Sequence, residues 1–110
     1  WKLFKDDICQ FDEFIEKIKK DGNLCHELNS AYSIMEDFSS ERQLPESKLK
    51  CINKKHKGHM KEYEVKTSNL RIYFFVNPAL GDIVVYGGKK STQKKDISKF
   101  RNIKNQYLLS

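Results

Sequence analysis

Residues 63–90 read YEVKTSNLRIYFFVNPALGDIVVYGGKK. Turn formers interrupt this stretch twice, at Ser68-Asn69 and at Asn77-Pro78 with Gly81-Asp82. What remains is three short runs of alternating residues. Leu70, Ile72, Phe74 and Val76 fall on one face of an extended chain, and Arg71, Tyr73 and Phe75 on the other. A period of two built from aromatic and β-branched residues is the strand signature, so the stretch predicts a three-stranded antiparallel meander. Its apolar face is expected to bury against helices. The opposite face, with Lys66, Arg71 and Tyr73, is expected to stay open and to carry the function.

The rest of the 110 residues is sized for one domain with one core, here taken as residues 1–110. About a third of the chain is charged and 38% is hydrophobic, which suits a soluble globular protein. No apolar run approaches the roughly 20 residues that span a bilayer, and no signal peptide is visible. The sequence opens on Trp1, so residues are expected upstream. Cys9, Cys25 and Cys51 are odd in number and widely spaced, a poor disulfide framework that points to a reducing, cytoplasmic setting. Cys51, His56 and His59 are the nearest approach to a metal-ligand set. With no fourth ligand at zinc spacing, no metal is expected.

Upstream of the meander, Trp1-Lys2-Leu3-Phe4 is a candidate end of a further strand. Asp6-Asp7 offers a cap to a helix whose stripe is Ile8, Phe11, Phe14, Ile15 and Ile18, closed by Asp21-Gly22-Asn23. Leu24, Leu28, Ala31, Met35 and Phe38 then predict a second helix, running antiparallel to the first and ending before Pro45. Residues 47–61, SKLKCINKKHKGHMK, read as a partial strand near Leu49 and Ile52 followed by a basic loop around Gly58. After Gly87-Gly88, Ser91 or Thr92 is placed to cap a last helix. Its stripe is Ile97, Phe100, Ile103 and Tyr107, with Lys94, Lys95, Lys99, Arg101 and Lys104 around the rest.

Charge divides the chain. Residues 1–47 hold six Lys/Arg against eleven Asp/Glu, a balance of −5; residues 48–110 hold fifteen against four, a balance of +11. A basic half next to an acidic half suggests a polyanion partner, or else a lysine-rich solvated surface.

The element order is (strand)–helix–helix–strand–strand–strand–helix, and several segments sharpen it. They are Lys48-Leu49-Lys50, Tyr63-Glu64-Val65-Lys66, Leu70-Arg71-Ile72-Tyr73-Phe74-Phe75, Ile83 to Lys90, and Lys94-Lys95-Asp96-Ile97. In these the chain resembles the RelE/ParE toxin superfamily of bacterial type II toxin–antitoxin systems, in its HigB-like, phage-derived branch. The resemblance implies an α+β fold: a helical hairpin on a small antiparallel sheet of three to four strands, with a C-terminal helix. It implies a toxin that cleaves messenger RNA in the ribosome without a metal, or, in the ParE manner, inhibits DNA gyrase. It also implies a cognate antitoxin, and neither a membrane nor a small-molecule cofactor. Two departures stand out. The RelE tyrosine early in the last helix has no counterpart near Lys95-Asp96, and the last strand offers Tyr86 but no histidine. A degenerate member that binds RNA without cutting it is therefore a further alternative.

Cleavage through the 2′-hydroxyl needs a base, cations for the pentacovalent phosphate and an acid. On that chemistry Arg71 is the first phosphate ligand, unless it pairs with Glu64 on the next strand. Lys66 and Lys90 are the next, unless they are solvated strand ends. His59, or His56, is the candidate base and otherwise an exposed loop residue. Tyr73 stacks on a base or supports Arg71, or is simply core. Lys54, Lys57, Lys61, Lys89 and Lys94 are expected to grip the RNA backbone.

Overall fold

A computed structural model describes residues 9–40, 43–53 and 60–109. The expectations for Trp1–Phe4, for the Asp6-Asp7 cap and for Lys54, Lys55, His56, Lys57 and His59 lie outside the described residues.

The chain folds as α1 (Gln10–Ile18), α2 (Gly22–Ser39), β1 (Leu49–Cys51), β2 (Glu62–Lys66), β3 (Leu70–Asn77), β4 (Gly81–Lys89), a short 3-10 turn (Lys90–Thr92) and α3 (Gln93–Leu109). It is an α+β protein in which the strands form one antiparallel sheet in the order β1-β2-β3-β4. Among the described residues no helix is long and apolar enough to cross a membrane.

Local chemistry explains most boundaries. Asp21 does not simply close α1; its carboxylate accepts from the amides of Asn23 and Leu24 and caps α2, which therefore begins at Gly22. Asn77 builds the β3–β4 turn by accepting from the amides of Ala79 and Leu80. Gly81 completes that turn at φ 90°, a conformation that a side chain would oppose.

Both faces of the sheet are buried. On one, Val65, Leu70, Ile72, Phe74 and Val84 pack against Phe11, Phe14 and Ile18 of α1 and Leu28, Ala31 and Ile34 of α2. On the other, Tyr73, Phe75, Ile83 and Val85 pack beneath Phe100 of α3, with Ile97, Ile103 and Tyr107 alongside. Register shifts between Tyr73 and Phe74, so that Tyr73 faces Tyr86 and Phe74 faces Val84. Val85 is the extra residue, and this bulge turns both Val85 and Tyr86 toward α3.

The expectation of an open face at Arg71 and Tyr73 is thus corrected: α3 covers it. The physical cause is apolar area. Fully burying an aromatic or branched side chain is worth roughly 1.5–3 kcal/mol. Tyr73 stacks on Phe100 with centroids 5.6 Å apart, and Phe75 meets Tyr107 at 5.7 Å. The stripe on α3 has no better partner. Lys104, expected on the solvated side of that helix, is instead buried at 2% exposure. It lies in the stripe with Phe100 and Tyr107, and its Nζ meets Glu62 Oε2 and the Met60 carbonyl, each at 2.9 Å.

Candidate nucleic-acid interface

Antiparallel register brings four of the proposed residues to one end of the sheet. Lys66 of β2 lies opposite Arg71 of β3, and Arg71 opposite Gly88 of β4. One row further out, Lys89 faces Leu70, and the Lys90 amide donates to the Asn69 carbonyl at 2.8 Å. Lys94 follows on the first turn of α3. Lys89, Lys90 and Lys94 are exposed and Lys66 is partly so. A shallow hollow of about 380 Å³ lies between Asn69, Lys89, Lys90 and Ser91. Lys48 adds a cation that chemistry alone had not singled out, because its carbonyl accepts the Lys66 amide at the β1 corner.

Two proposed residues are not placed for direct contact with a ligand. Tyr73 is fully buried, so it does not stack on a base; it is core. Burial pushes its hydroxyl pKa up strongly, the nearby carboxylates of Glu64 and Asp96 push it further, and Arg71 offsets only part of this. It stays a neutral phenol. Arg71 is 7% exposed and its Nη1 donates to the carbonyls of Thr67 and Leu70, at 2.6 and 2.8 Å. It forms no ion pair with Glu64, whose two oxygens take Gln93 Nε2 at 2.9 and 2.8 Å, with Lys66 Nζ 4.0 Å away. Arg71 Nε and the Tyr73 hydroxyl are the buried side-chain polar atoms left without a hydrogen bond among the described residues. Arg71 thus braces the β2–β3 turn and adds its charge from behind the lysines. Lys61 precedes β2 at the opposite end of the sheet, where its carbonyl accepts the Val76 amide, and so is not part of this cluster. Among the described residues no group of three metal-binding side chains assembles.

The turn itself is held from α2. Glu27 accepts from Thr67 Oγ1 (2.6 Å), the Asn69 amide (2.6 Å) and Asn69 Nδ2 (2.8 Å). Partial burial pushes the Glu27 carboxyl pKa up, but these donors outweigh it and hold the group below its ordinary value. A depressed carboxylate pKa contributes stability that is present above the unfolded value, about 4.3, and lost as pH falls through the folded value. Glu27→Ala is therefore expected to cost about 1 kcal/mol at neutral pH. In urea titrations the gap to the wild type should hold above the unfolded value of about 4.3 and shrink as pH falls below it. A gap independent of pH would remove Glu27 as the turn's anchor.

Thr92 and Asp96 form the second brace at this corner. The Thr92 hydroxyl donates to Asp96 Oδ2 at 2.5 Å, and the buried Asp96 carboxylate packs on Gly88. The chain matches no protein-family model, no curated protein and no solved structure.

Proposed function

We propose that this protein is the toxin of a type II toxin–antitoxin pair, engaging mRNA in the ribosome through the turn end of its sheet and stopping translation by cutting that mRNA. The observation that carries the reading is the convergence of Lys66, Lys89, Lys90 and Lys94 around a turn fixed by Glu27 and Arg71. Exposed ammonium groups on rigid backbone suit a phosphate chain, which they bind through charge and counterion release. The lysines are the phosphate ligands and Arg71 positions them. His59 retains the role of base, and an antitoxin with acidic segments is the partner that would quench the +11 half of the chain.

A second reading, RNA binding without cleavage, is favoured by one observation: the Arg71 guanidinium is already bonded to backbone carbonyls and Tyr73 is sealed beneath α3. One experiment separates the two. Induced expression is followed by labelled-amino-acid incorporation and primer extension on cellular transcripts. Wild type is expected to stop translation and leave new 5′ ends. Lys66→Ala/Lys89→Ala/Lys90→Ala is expected to lose the effect more than tenfold while folding normally, and its RNA affinity should show a salt slope shallower by about 2. Arrest with intact transcripts and ribosome association selects the second reading. A DNA-damage response without arrest, or full toxicity in the folded triple variant, overturns the RNA assignment.

A further inference from the structure

The side of α3 turned away from the sheet carries charge of one sign. We infer that it is a docking surface for double-helical RNA, the kind of RNA that a ribosome presents, with the helix lying along a shallow groove while the mRNA meets the turn end. The inference rests on the RNA reading above and names the partner that brings the protein to its message.

α3 turns Phe100 and Lys104 into the sheet, and on its opposite side exposes Lys94, Lys95, Ser98, Lys99, Asn102 and Asn105. The set runs over roughly 16 Å of helix. Asp96, the one acidic residue of α3, is 6% exposed and packs on Gly88, so no exposed acid interrupts this face. The exposed acids lie across the sheet: Glu13 and Glu16 of α1 and Glu36 of α2 belong to the helices that cover the opposite face. A polyanion approaching α3 therefore meets cations and has the sheet between it and those carboxylates. The face is also rigidly mounted. Lys99 Nζ lies over the Tyr86 ring, 5.0 Å from its centroid, and Arg101 on the flank of the helix is tied to Glu62 of β2 and to the Ile52 carbonyl.

Shape and chemistry select the duplex and the sugar. Single strands are gripped by stacking bases on aromatic side chains. No ring stands open on α3: Phe100 is fully buried, Tyr107 packs on Phe75, and Tyr86 beneath the helix lies under Lys99. The exposed aromatic among the described residues, Tyr32, belongs to α2. A B-DNA major groove is about 8.5 Å deep. With half its circumference against the sheet, α3 stands out by about half a helix diameter, roughly 5–6 Å, too little to reach the base edges on that floor. The minor groove of double-helical RNA is wide and shallow and displays 2′-hydroxyls beside the phosphates. There the lysine ammonium groups meet phosphate, and the Asn102 and Asn105 carboxamides, each both donor and acceptor, meet 2′-hydroxyls.

The test is fluorescence anisotropy of the whole chain at several salt concentrations. The probes are a labelled RNA duplex of about 16 base pairs, the DNA duplex of the same sequence and one RNA strand alone. Wild type should bind the RNA duplex at least about fivefold more tightly than the DNA duplex, as two modest hydrogen bonds to 2′-hydroxyls would give. Lys95→Ala/Lys99→Ala should weaken binding of both duplexes and make the salt slope shallower by about 2. Asn102→Ala/Asn105→Ala should erase the preference for RNA over DNA and leave the slope unchanged; alanine is the better helix former, so the fold is not at stake. Lys66→Ala/Lys89→Ala/Lys90→Ala should keep the preference. Equal binding of the two duplexes, a single strand bound as tightly as the RNA duplex, or a preference that survives the asparagine pair overturns the docking surface. Translation arrest by the induced protein is read alongside. Arrest with cut transcripts but no duplex preference leaves the toxin reading standing without this surface; the preference without arrest leaves the surface standing without the toxin. Failure to bind any RNA overturns both. Circular dichroism of each variant confirms that the fold is intact.

Discussion

Lys104→Ala is expected to destabilise the protein by about 3–5 kcal/mol, because it strands a buried carboxylate. Glu62 is 5% exposed, and its two oxygens are taken by Lys104 Nζ and Arg101 Nε, each at 2.9 Å. Around this pair the backbone is also engaged. Arg101 Nη2 donates to the Ile52 carbonyl, Lys104 Nζ to the Met60 carbonyl, and Asn53 Oδ1 accepts the Glu62 amide at 2.8 Å. Removing the ammonium leaves the buried Glu62 carboxylate with Arg101 as its one cationic partner, while the Met60 carbonyl keeps the Asn53 Nδ2 donor at 2.9 Å. Arg101 cannot make up the loss, since its side chain is 43% exposed and part of its charge is already spent on water. The measurement is the urea midpoint, which should fall without a change of slope. Glu62→Leu/Lys104→Leu should be less damaged than the sum of the two single variants, because it removes both charges together. The exposed pair Lys19–Glu16 is the internal control: at 61% and 72% side-chain exposure its loss should change stability by less than about 0.5 kcal/mol. A Lys104→Ala loss below about 1 kcal/mol would show that α3 is anchored by its aromatic stripe alone.

The position of Lys104 was written in the sequence, though not by its residue type. Ile97, Phe100, Lys104 and Tyr107 repeat at three, four and three, so the lysine falls in line with the apolar stripe. A cation in line with such a stripe asks for a buried carboxylate across from it, and Glu62 and Glu64 alternate on the facing side of β2. The strands themselves were legible for a simpler reason. The period of two in residues 70–76 fixes which side chains share a face, and short turns fix the antiparallel register that gathers Lys66, Arg71 and Lys89. What the alternation does not say is which face meets water. LRIYFFV is apolar on both sides apart from Arg71, as expected of a strand covered twice. The lone arginine invites the opposite reading only because its backbone partners, Thr67 and Leu70, are invisible in one dimension. The Val85 bulge leaves no mark in a run as uniform as DIVVYGG. Glu27 lies forty positions before Thr67 and bears no local sign of the contact.

Gly87→Ala is expected to be the most damaging glycine substitution, with a loss of about 1–3 kcal/mol toward the upper end of that range. A Cβ at Gly87 would lie 2.2, 2.4 and 2.8 Å from Cδ2, Cε2 and Cγ of Phe14. The ring has little room to move aside: Phe14 belongs to the first core, with its centroid 6.4 Å from that of Phe11. Relief requires α1, a helix of only nine residues, to lift away from β4 and expose part of that core. The gain from replacing a strand glycine by alanine, roughly 0.5–1 kcal/mol, offsets only part of the cost. Shrinking the ring tests the mechanism directly. In Phe14→Leu/Gly87→Ala the second change should cost less than it does alone, a coupling of about 1 kcal/mol in thermal or urea unfolding. Two other glycines set the scale. At Gly88 the added atom would meet Asp96 Oδ2 and Cγ, and the buried carboxylate would have to give up its Thr92 contact to move aside; one short polar side chain shifts there rather than a whole helix, so the loss should be substantial but smaller than at Gly87. At Gly22 nothing lies within 4 Å, and alanine at the start of α2 should be neutral or slightly stabilising. The expected order of damage is therefore Gly87, then Gly88, then Gly22. A Gly87→Ala variant as stable as wild type, or one that Phe14→Leu fails to rescue, would mean that α1 rides over β4 without being locked to it.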